Sequence, residues 1–553
     1  MAWLTPNHYP PWLTFHAESL VFTALILYAV ALSLGTVQLQ LHPIWWLISA
    51  LLVIIGAQWM SGMIAYSGDA LVSGLYLLGF ALAWQLGFNV ASDPRCGEKI
   101  QDLIASVIVT AAAFSVYAAL AQWLDQEMQF GGLVLAATSG MRPYGNLAQP
   151  NQLATLLLMG VILSIWLQLR GKIRLWQSLA LVGWFSWGLT MAESRAAWLS
   201  ALVLGSLMIW WGRPIWKVAS WRVIGAWWLL LLGMRIVWTS MQSLLLLAPP
   251  IRPLQAIAQD NGRLLLWRQI LAGIDQSPWV GYGWRQSVAG HKAGTAQLSS
   301  GALTDYSHNV VLDLMLWLGI PLAAILLTII AWWLLRAVRR IENTRQLLLM
   351  ASAVPIMVHS LVEFPFTYAY FLFPLGWMLG SLSCLQKQAH TPHTHGPVES
   401  VCLAHFWRIG VLGFSALCMW TAREYLEIEE DYRVLRFEMR NVGNTPQGYE
   451  RPMPKLLTHL GALLTQGRVE PHRGMSSQEL DDMKRLLRNY NWATLQVNYV
   501  IALALNQQVE QAKKEMKALE MHYGKASYEQ ARLYVHEKQE QFPELKLLSV
   551  ALE

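Results

Sequence analysis

Charged residues are scarce in this chain: Asp, Glu, Lys and Arg make up only 13% of its 553 residues, against 55% apolar residues. A soluble globular protein typically carries about 25% charged residues. The apolar residues come in runs of roughly 20, long enough for a helix to cross a hydrocarbon layer about 30 Å thick. A cytosolic enzyme, a secreted disulfide scaffold and a disordered tail are therefore excluded. The composition predicts an all-α, polytopic membrane protein.

Signatures of several enzyme classes are also missing. The four cysteines, Cys96, Cys384, Cys402 and Cys418, do not have the spacing of a metal site. The chain has no G-x-x-x-x-G-K-[ST] phosphate loop and no Asp-x-Asp of the kind that holds a metal-bound sugar nucleotide. The N-terminus lacks the basic segment of a cleavable signal peptide. A nucleotide-dependent reaction is therefore not expected.

Apolar runs predict about twelve transmembrane helices. They lie near residues 19–41, 43–60, 70–90, 100–124, 150–169, 175–191, 196–211, 223–248, 308–335, 346–364, 367–385 and 404–422. Every second loop between them is basic, whereas the alternate short loops contain only Arg142 and Arg195. The basic set is Arg95, Lys99, Arg170, Lys172, Arg174, Arg213, Lys217, Arg222, Arg336, Arg339, Arg340 and Arg345. By the positive-inside rule these loops are cytoplasmic, so both chain ends and the loop 249–307 face the periplasm of a bacterium.

The density of charge rises sharply after residue 422. Residues 423–553 contain 18 Lys and Arg and 19 Asp and Glu, about half of all charges in the chain. We therefore predict a transmembrane catalytic domain over 1–422 and a periplasmic helical domain over 423–553.

Amphipathic helices near 492–506, 509–523 and 527–541 resemble a short helical-repeat array. Such arrays bind peptides or proteins; a solubilising cap without a partner is the alternative.

An amide-rich segment precedes the fifth apolar run on its outer side. Its polar residues are Arg142, Tyr144, Asn146, Gln149, Asn151 and Gln152. Pro150 is well placed at a helix start, where the first backbone N–H groups point back at the loop. Such a segment suits anionic or hydroxyl-rich ligands. Helix N-capping is the alternative, but it needs one or two such residues rather than four.

Three arginines lie at the outer boundary, where ionisable groups are costly and imply a function by default. Arg195 follows Glu193-Ser194, and the outer loop carries Arg263 and Arg268. An arginine here either snorkels to lipid headgroups or holds a pyrophosphate with its two-pronged guanidinium. Arg263 and Arg268 are five residues apart, on different helix faces, so one of them is expected to point into a site. The later turn Gly281-Tyr282-Gly283-Trp284 has aromatic anchors, and interfacial anchoring is the alternative for this loop.

Two histidines are candidates for proton transfer. His308 lies at the outer mouth of a span beside Asn309, and its ordinary pKa near 6.5 suits a general base. Asp305 or Asp313 could fix its tautomer. His359 and Glu363 are four residues apart and thus share a helix face. Packing alone does not readily explain two ionisable groups on one face of a span. No further His or Glu completes a zinc signature, so we expect no metal. For His308, a purely structural histidine is the alternative.

Arginines suit an anionic leaving group, a histidine suits an abstracted hydroxyl proton, and amides with aromatic rings suit a sugar. All of them are predicted on the outer face, where no nucleotide cofactor is available. The residues therefore predict glycosyl transfer from a lipid pyrophosphate to a hydroxyl group.

The run Tyr144–Ala154, YGNLAQPNQLA, resembles the signature of bacterial O-linked protein oligosaccharyltransferases of the PglL type. Ser307-His308-Asn309, followed by the Leu-Trp-Leu-Gly of Leu316–Gly319, is similar to the core that these enzymes share with O-antigen ligases and polymerases. The Pro-rich segment Pro6–Trp12 and the C-terminal domain look like the protein-glycosylating branch. The Trp-Trp-Asp motif of N-linking transferases is absent.

The resemblance implies metal-independent en bloc transfer, without a cofactor, of a preassembled glycan from undecaprenyl pyrophosphate to Ser or Thr of a periplasmic protein, often a pilin. It implies that His308 is the base, that Arg195 and Arg263 hold the pyrophosphate, and that the loop Asn146–Gln152 contacts glycan or acceptor. Arg142, Tyr144, Arg268, His359 and Glu363 are further candidates for substrate binding.

Three alternatives remain open at this point. An O-antigen ligase would use the same donor and chemistry with a lipid A–core acceptor, and an O-antigen polymerase would extend a glycan chain. A lipid-glycan transporter would perform no chemistry. It needs polar groups through the full bilayer depth, whereas here they cluster at one face.

Overall fold

The computed structural model describes residues 1–34, 39–93, 96–137, 141–211, 221–245, 262–299, 303–390 and 401–549. Over these ranges the regular structure is helical, without a strand, which confirms the all-α class. Arg95, Arg213 and Lys217 of the predicted cytoplasmic loops lie outside the described residues, as do Asp260 and Asn261, which precede Arg263 in the outer loop.

The helices of the predicted membrane part, in chain order, are α1 (Phe15–Leu34), α2 (Ile44–Met60), α3 (Ser67–Ser92), α4 (Gly97–Trp123), α5 (Pro150–Leu169), α6 (Leu175–Ala192), α7 (Arg195–Trp210), α8 (Trp221–Leu244), α9 (Gly262–Gln276), α10 (Ser287–Thr295), α11 (Val310–Arg339), α12 (Thr344–Ser360) and α13 (Ala369–His390). They are followed by α14 (Val401–Glu438), α15 (Thr458–Gln466), α16 (Ser477–Asn489), α17 (Ala493–Leu505), α18 (Val509–Lys538) and α19 (Lys546–Ser549).

Each predicted apolar run coincides with a helix, from α1 to α8 and from α11 to α14. Among the described residues, six helices are long and apolar enough to cross a membrane: Phe15–Leu34, Ser67–Ser92, Gly97–Trp123, Pro150–Leu169, Arg222–Gln242 and Val310–Arg339. The helices α2 and α7 are apolar but shorter. The number of twelve spans stays a prediction.

The first of two compact units comprises residues 1–48, 76–259 and 330–418. Its centre is α5, which packs against α4, α6, α7 and α12. Leu153, Leu156 and Leu157 have no exposed surface, and α5 is buried on nearly every side. An all-apolar helix can lie in a core or face lipid, and its burial places α5 in the core. The amide-rich segment is therefore attached to the most buried helix of this unit.

The second unit comprises residues 49–75, 260–329 and 419–553. Here α9 and α10 pack together, and α16 and α18 pack against the buried helix α17. The loop before α3 also contacts the C-terminal helices: Arg485 Nε donates to Ala65 O (2.8 Å). Asn491 likewise donates to Leu303 O (3.1 Å). Residues of the predicted C-terminal domain, 423–553, thus contact loop residues that come much earlier in the chain.

The C-terminal helices form where the apolar periodicity predicts them. The predicted helix 492–506 is α17, and the pair 509–523 and 527–541 corresponds to the two halves of α18. These halves meet at Gly524, which has φ +81° and interrupts the helical backbone. The left-handed region is readily open only to glycine, so this residue separates the two predicted segments.

Buried His291 of α10 is held as the neutral imidazole. The Thr304 N–H donates to its Nδ1 (3.2 Å), and its Nε2 lies 3.0 Å from Gln269 Oε1. The Gln269 amide nitrogen donates to Leu298 O (3.0 Å), which leaves the oxygen facing the ring. Since Nδ1 accepts a hydrogen bond, only Nε2 carries a proton. Burial lowers the pKa of His291 to about 4.

Acidification from about pH 7.5 to about pH 5 is expected to lower the stability of this unit. An unfolded chain protonates His291 below about pH 6.5, whereas the folded protein resists protonation until pH approaches 4. The unfolded state thus binds more protons in this window, and the free energy of unfolding falls as the pH is lowered. Thermal unfolding of the detergent-purified protein should show a smaller pH dependence in His291→Gln. Equal pH dependences in both proteins would contradict this assignment.

Candidate functional site

The eleven predicted site residues are divided between the two units. The first unit contains Arg142, Tyr144, Asn146, Gln149, Asn151, Arg195, His359 and Glu363, and the second contains Arg263, Arg268 and His308. Each unit is described separately below.

The loop before α5 is clamped by Gln122 of α4. Its side-chain oxygen accepts the N–H groups of Tyr144 (3.0 Å) and Gly145 (2.8 Å). Its nitrogen donates to Leu135 O and Gly145 O, both at 2.8 Å. Gly145 has φ +60°, and a Cβ here would lie 3.0 Å from Ser115 O. A glycine is therefore required at this turn. Tyr144 is buried, and its hydroxyl donates to Ala136 O (3.0 Å).

Asn146 fastens three backbone segments to one another. Its Nδ2 donates to Leu4 O and Leu133 O, both at 2.8 Å, and its Oδ1 accepts the Leu135 N–H (2.9 Å). Asn146 is buried. These contacts give the side chain a structural part in holding the loop, and direct contact of Asn146 with a substrate stays a prediction.

α5 begins at Pro150, as the sequence predicts. Gln149 is the N-cap residue, but its side chain makes no capping hydrogen bond. Gln152 accepts a hydrogen bond from the Tyr370 hydroxyl (2.8 Å) on another helix. Simple N-capping therefore does not explain this amide-rich sequence, because its side chains hold other elements of the unit.

Four polar residues meet where α5 packs against the end of α12. Asn151 Nδ2 donates to Glu363 Oε1 (3.0 Å), and Thr155 Oγ1 lies 2.8 Å from His359 Nδ1. α12 ends at Ser360, but the Glu363 N–H still bonds to His359 O (2.8 Å). Glu363 thus lies just beyond the helix on which its shared face with His359 is predicted, but the turn keeps both side chains in contact with α5.

The turn between α6 and α7 joins this group. Ser194 Oγ donates to Asn151 Oδ1 (2.7 Å), and Arg142 Nη1 donates to Glu193 O (3.1 Å). Arg195 follows as the exposed first residue of α7. We call the buried residues Asn151, Thr155, Ser194, His359 and Glu363 the α5 cluster. The structure thus brings the cluster, Arg142 and Arg195 into one region of the first unit.

In the second unit, His308 occupies the apex of a tight turn. Ser307 Oγ donates to Asn309 O (2.8 Å) and accepts the Asn309 N–H (3.2 Å). Asn309 Oδ1 caps α11 by accepting the N–H of Val311 (2.9 Å). His308 has φ +58°, a left-handed conformation that is uncommon for residues other than glycine. Such outliers cluster at functional sites, and the flanking Ser and Asn account for this one.

Asp313 supports the same turn from within α11. It has no exposed surface, and its Oδ1 accepts the Ser307 N–H (2.9 Å) and the Ser287 hydroxyl (3.2 Å). Ser287 Oγ in turn accepts the Trp317 indole N–H (2.7 Å). Asp313 therefore fixes the main chain next to His308, while a part in setting the imidazole tautomer stays a prediction.

The helix α9 packs beside this turn. The Trp267 indole N–H donates to Ser307 O (3.0 Å). Arg263 is four residues before Trp267 and so lies on the same helix face. Arg263 is half-buried, whereas Arg268 is exposed. The structure therefore places Arg263, but not Arg268, on the face of α9 that meets the His308 turn.

α11 is broken at Gly319, which has φ +76°. The loop before α10 supplies partners for the broken backbone: Tyr282 N donates to Leu316 O (2.8 Å) and Ile320 N to Pro278 O (2.7 Å). At Gly281 a Cβ would lie 2.5 Å from Leu316 O. The predicted tight turn 281–284 is thus confirmed. A lipid-facing non-helical backbone is not tolerated within a membrane span, so protein groups must bond to it; the positive φ accounts for the glycine of Leu-Trp-Leu-Gly.

Sequence reasoning did not single out two arginines. Arg285 also has a left-handed backbone, φ +61°, and its charge acts on Asp305 and Tyr306 beside His308. Its position directly after the Gly-rich turn was the available signal.

Arg235 lies in the middle of an apolar run and pairs with Glu193. An arginine within such a run is itself a signal of function.

The second unit offers a half-buried imidazole and a guanidinium group, and the first unit offers guanidinium groups and a buried amide–carboxylate cluster. Among the described residues no three His, Cys, Asp or Glu side chains group as metal ligands would, and independence of metal stays a prediction. An imidazole suits abstraction of a hydroxyl proton, and guanidinium groups suit a phosphate.

Three family models match the chain. The model described as "Protein glycosylation ligase" matches residues 143–167. The model described as "O-Antigen ligase" matches residues 180–327, and the C-terminal part of "Virulence factor membrane-bound polymerase" matches 347–537. These matches cover the amide-rich loop, the His308 turn and the C-terminal helices, respectively.

Two curated relatives come from Acinetobacter baylyi. A "General O-oligosaccharyltransferase" is 28% identical over 94% of this chain and 90% of its own length. A "ComP-specific O-oligosaccharyltransferase" is 28% identical over 60% of this chain and 59% of its own. The resemblance inferred from the motifs is thereby confirmed, and with the apolar helices these matches indicate a membrane protein.

Proposed function

We propose that this chain is a bacterial O-oligosaccharyltransferase. It moves a preassembled glycan from undecaprenyl pyrophosphate to Ser or Thr hydroxyls of periplasmic proteins such as pilins. The proposal rests on similarity to a general O-oligosaccharyltransferase along 94% of the chain. The resemblance implies this substrate class, and the sites described above supply side chains that fit it.

A lipid-linked donor agrees with the composition of the site. The chain lacks the nucleotide-binding motifs named above, so the glycan must come from an already exported carrier. Arg195 and Arg263 are proposed to hold the pyrophosphate, since one guanidinium group can bind two phosphate oxygens at once. Arg263 lies on the α9 face whose Trp267 bonds beside His308.

His308 is proposed as the general base. It takes the proton of the acceptor hydroxyl while the hydroxyl oxygen attacks the anomeric carbon of the glycan. The bond between that carbon and the pyrophosphate oxygen breaks, and lipid pyrophosphate leaves with the negative charge that the arginines stabilise. The proton on His308 then passes to solvent. A positioned base contributes about 10²–10⁴-fold to such a step.

The α5 cluster and its loop are proposed to recognise glycan or acceptor. Amide and carboxylate groups hydrogen-bond to sugar hydroxyls, and Tyr144 adds an aromatic ring. The proposed contacts are Gln149, Asn151, His359 and Glu363. Arg142 and Arg268 are proposed to bind acidic groups of the glycan or the acceptor. No metal or other cofactor enters this mechanism.

We further propose an inner-membrane protein of about twelve spans, with its site and residues 423–553 in the periplasm. The asymmetry of basic loops supports this orientation. The loop between α2 and α3 and the C-terminal helices are predicted on the same side of the membrane, and the Arg485–Ala65 hydrogen bond between them (2.8 Å) agrees with that. The C-terminal helices are proposed to bind the acceptor protein.

The second candidate is O-antigen ligation, because the O-antigen ligase model matches 180–327. Intact-mass analysis of periplasmic proteins from cells with and without the gene separates the two candidates, with lipopolysaccharide gels run in parallel. We expect loss of a glycan-sized mass from a periplasmic protein and unchanged lipopolysaccharide. Unchanged protein masses with truncated lipopolysaccharide would instead assign the chain as a ligase.

A further inference from the structure

The turn between α6 and α7 has an unusual backbone. Glu193 ends α6 in the left-handed conformation, with φ +46° and ψ +37°. A non-glycine residue in this region is strained and persists only when its surroundings hold it. The next residues, Ser194 and Arg195, begin α7. Whatever holds Glu193 therefore also sets where α7 and Arg195 start.

The Glu193 carboxylate is held by two donors of α8. Arg235 Nη1 pairs with Glu193 Oε1, and the indole N–H of Trp238 donates to the same oxygen (3.2 Å). The carboxylate side chain is 8% exposed and that of Arg235 28%. Arg235 and Trp238 are three residues apart and so share a face of α8. Trp238 itself is buried against Trp123 and Trp187, which makes this side of the turn rigid.

The main chain of the same turn is bonded on its other sides. Arg142 Nη1 donates to the carbonyl oxygens of Ala192 (3.4 Å) and Glu193 (3.1 Å). Ser194 Oγ donates to Asn151 Oδ1 (2.7 Å). The turn thus connects α8 to Arg142 and to the α5 cluster, and Glu193 is the residue to which Arg235 is bonded.

We propose that Arg235 is a positioning residue for donor binding, which acts through Glu193 to fix the turn that carries Arg195. Removal of the guanidinium leaves a nearly buried carboxylate without its cation, which is strongly unfavourable. The Glu193 side chain then turns outward, the left-handed backbone relaxes and the start of α7 shifts. A displacement of about 1 Å at a binding group can cost up to about 100-fold. This inference rests on the proposed function, because it takes Arg195 as a ligand of the lipid pyrophosphate.

The test measures the affinity of the detergent-purified full chain for undecaprenyl pyrophosphate alone, without acceptor. We expect Arg235→Gln to weaken binding by about 10- to 100-fold, and the matched control Arg222→Gln, an exposed arginine of the same helix, to bind like the wild type. The double variant Arg235→Glu with Glu193→Arg exchanges the two charges and should recover part of the affinity.

A cycle with Arg195→Lys distinguishes positioning from a structural effect. If Arg235 acts through Arg195, Arg235→Gln adds little to the loss already caused by Arg195→Lys. Wild-type affinity in Arg235→Gln, or losses that multiply in the double variant, would overturn the proposal. Loss of folded protein with unchanged affinity of the folded fraction would also overturn it. A wild-type chain that binds this lipid but glycosylates no protein would overturn the proposed acceptor only.

Discussion

His308→Asn is expected to lower the rate of glycan transfer by about 100- to 10,000-fold, the range a positioned general base contributes. Asparagine removes the titratable imidazole yet tolerates the left-handed backbone that His308 adopts at φ +58°. The surrounding bonds of Ser307 and Asn309 involve their own side chains and main chain, so they should persist. Transfer is measured with purified enzyme, lipid-linked glycan and acceptor protein.

The matched control is His405→Asn, an exposed histidine near the start of α14, which should transfer at the wild-type rate. Membrane levels and thermal midpoints of both variants should equal those of the wild type. Full activity in His308→Asn would remove His308 as the base and direct attention to His359, whose Nδ1 lies 2.8 Å from Thr155 Oγ1.

Arg468→Met is expected to destabilise the C-terminal helices by about 3–5 kcal/mol. The Arg468 guanidinium bonds to both oxygens of Asp431, at 2.8 and 2.9 Å, and to Glu438 Oε2 at 2.6 Å. Asp431 is 1% exposed, so its charge is left in a low-dielectric environment when the guanidinium is removed. Chemical or thermal unfolding of the purified protein measures the loss.

Arg433→Met is the matched control, since Arg433 pairs with Glu430 at the surface, where the two side chains are 57% and 52% exposed. Exposed pairs contribute about 0–1 kcal/mol, so this variant should unfold nearly like the wild type. Arg468→Lys should fall between the two, because an ammonium lacks the planar fork that spans both carboxylate oxygens. Equal effects of Arg468→Met and Arg433→Met would contradict the assignment.

Arg235 and Arg285 show why inspection of motifs found only part of the candidate site. Arg195 and Arg263 stand out because they lie at the outer boundary of the predicted membrane part, and His308 because it opens an apolar run. Arg235 lies inside an apolar run with no motif around it, and its meaning comes from Glu193, 42 positions away. A short-range pattern contains no information about such a partner.

Asn146 illustrates the converse. Four amides at a helix start predict a polar ligand, but the structure directs the Asn146 amide to the main chain of Leu4, Leu133 and Leu135. A side-chain amide bonds equally well to a sugar hydroxyl or to a backbone carbonyl. Residue type therefore marks the region as polar without stating which partner it has.

The sequence by itself determined the all-helical class, the positions of the apolar helices, the turn at Gly281–Trp284 and the family resemblance. These depend on periodicity, on the conformational freedom of glycine and on short motifs, all of which are local. Only the tertiary structure decided that His308 is left-handed, that α11 breaks at Gly319, and that Asn151 meets Glu363, 212 positions further along the chain. Such pairings form because buried polar groups must find partners, and the packing of the helices decides which partners are within reach.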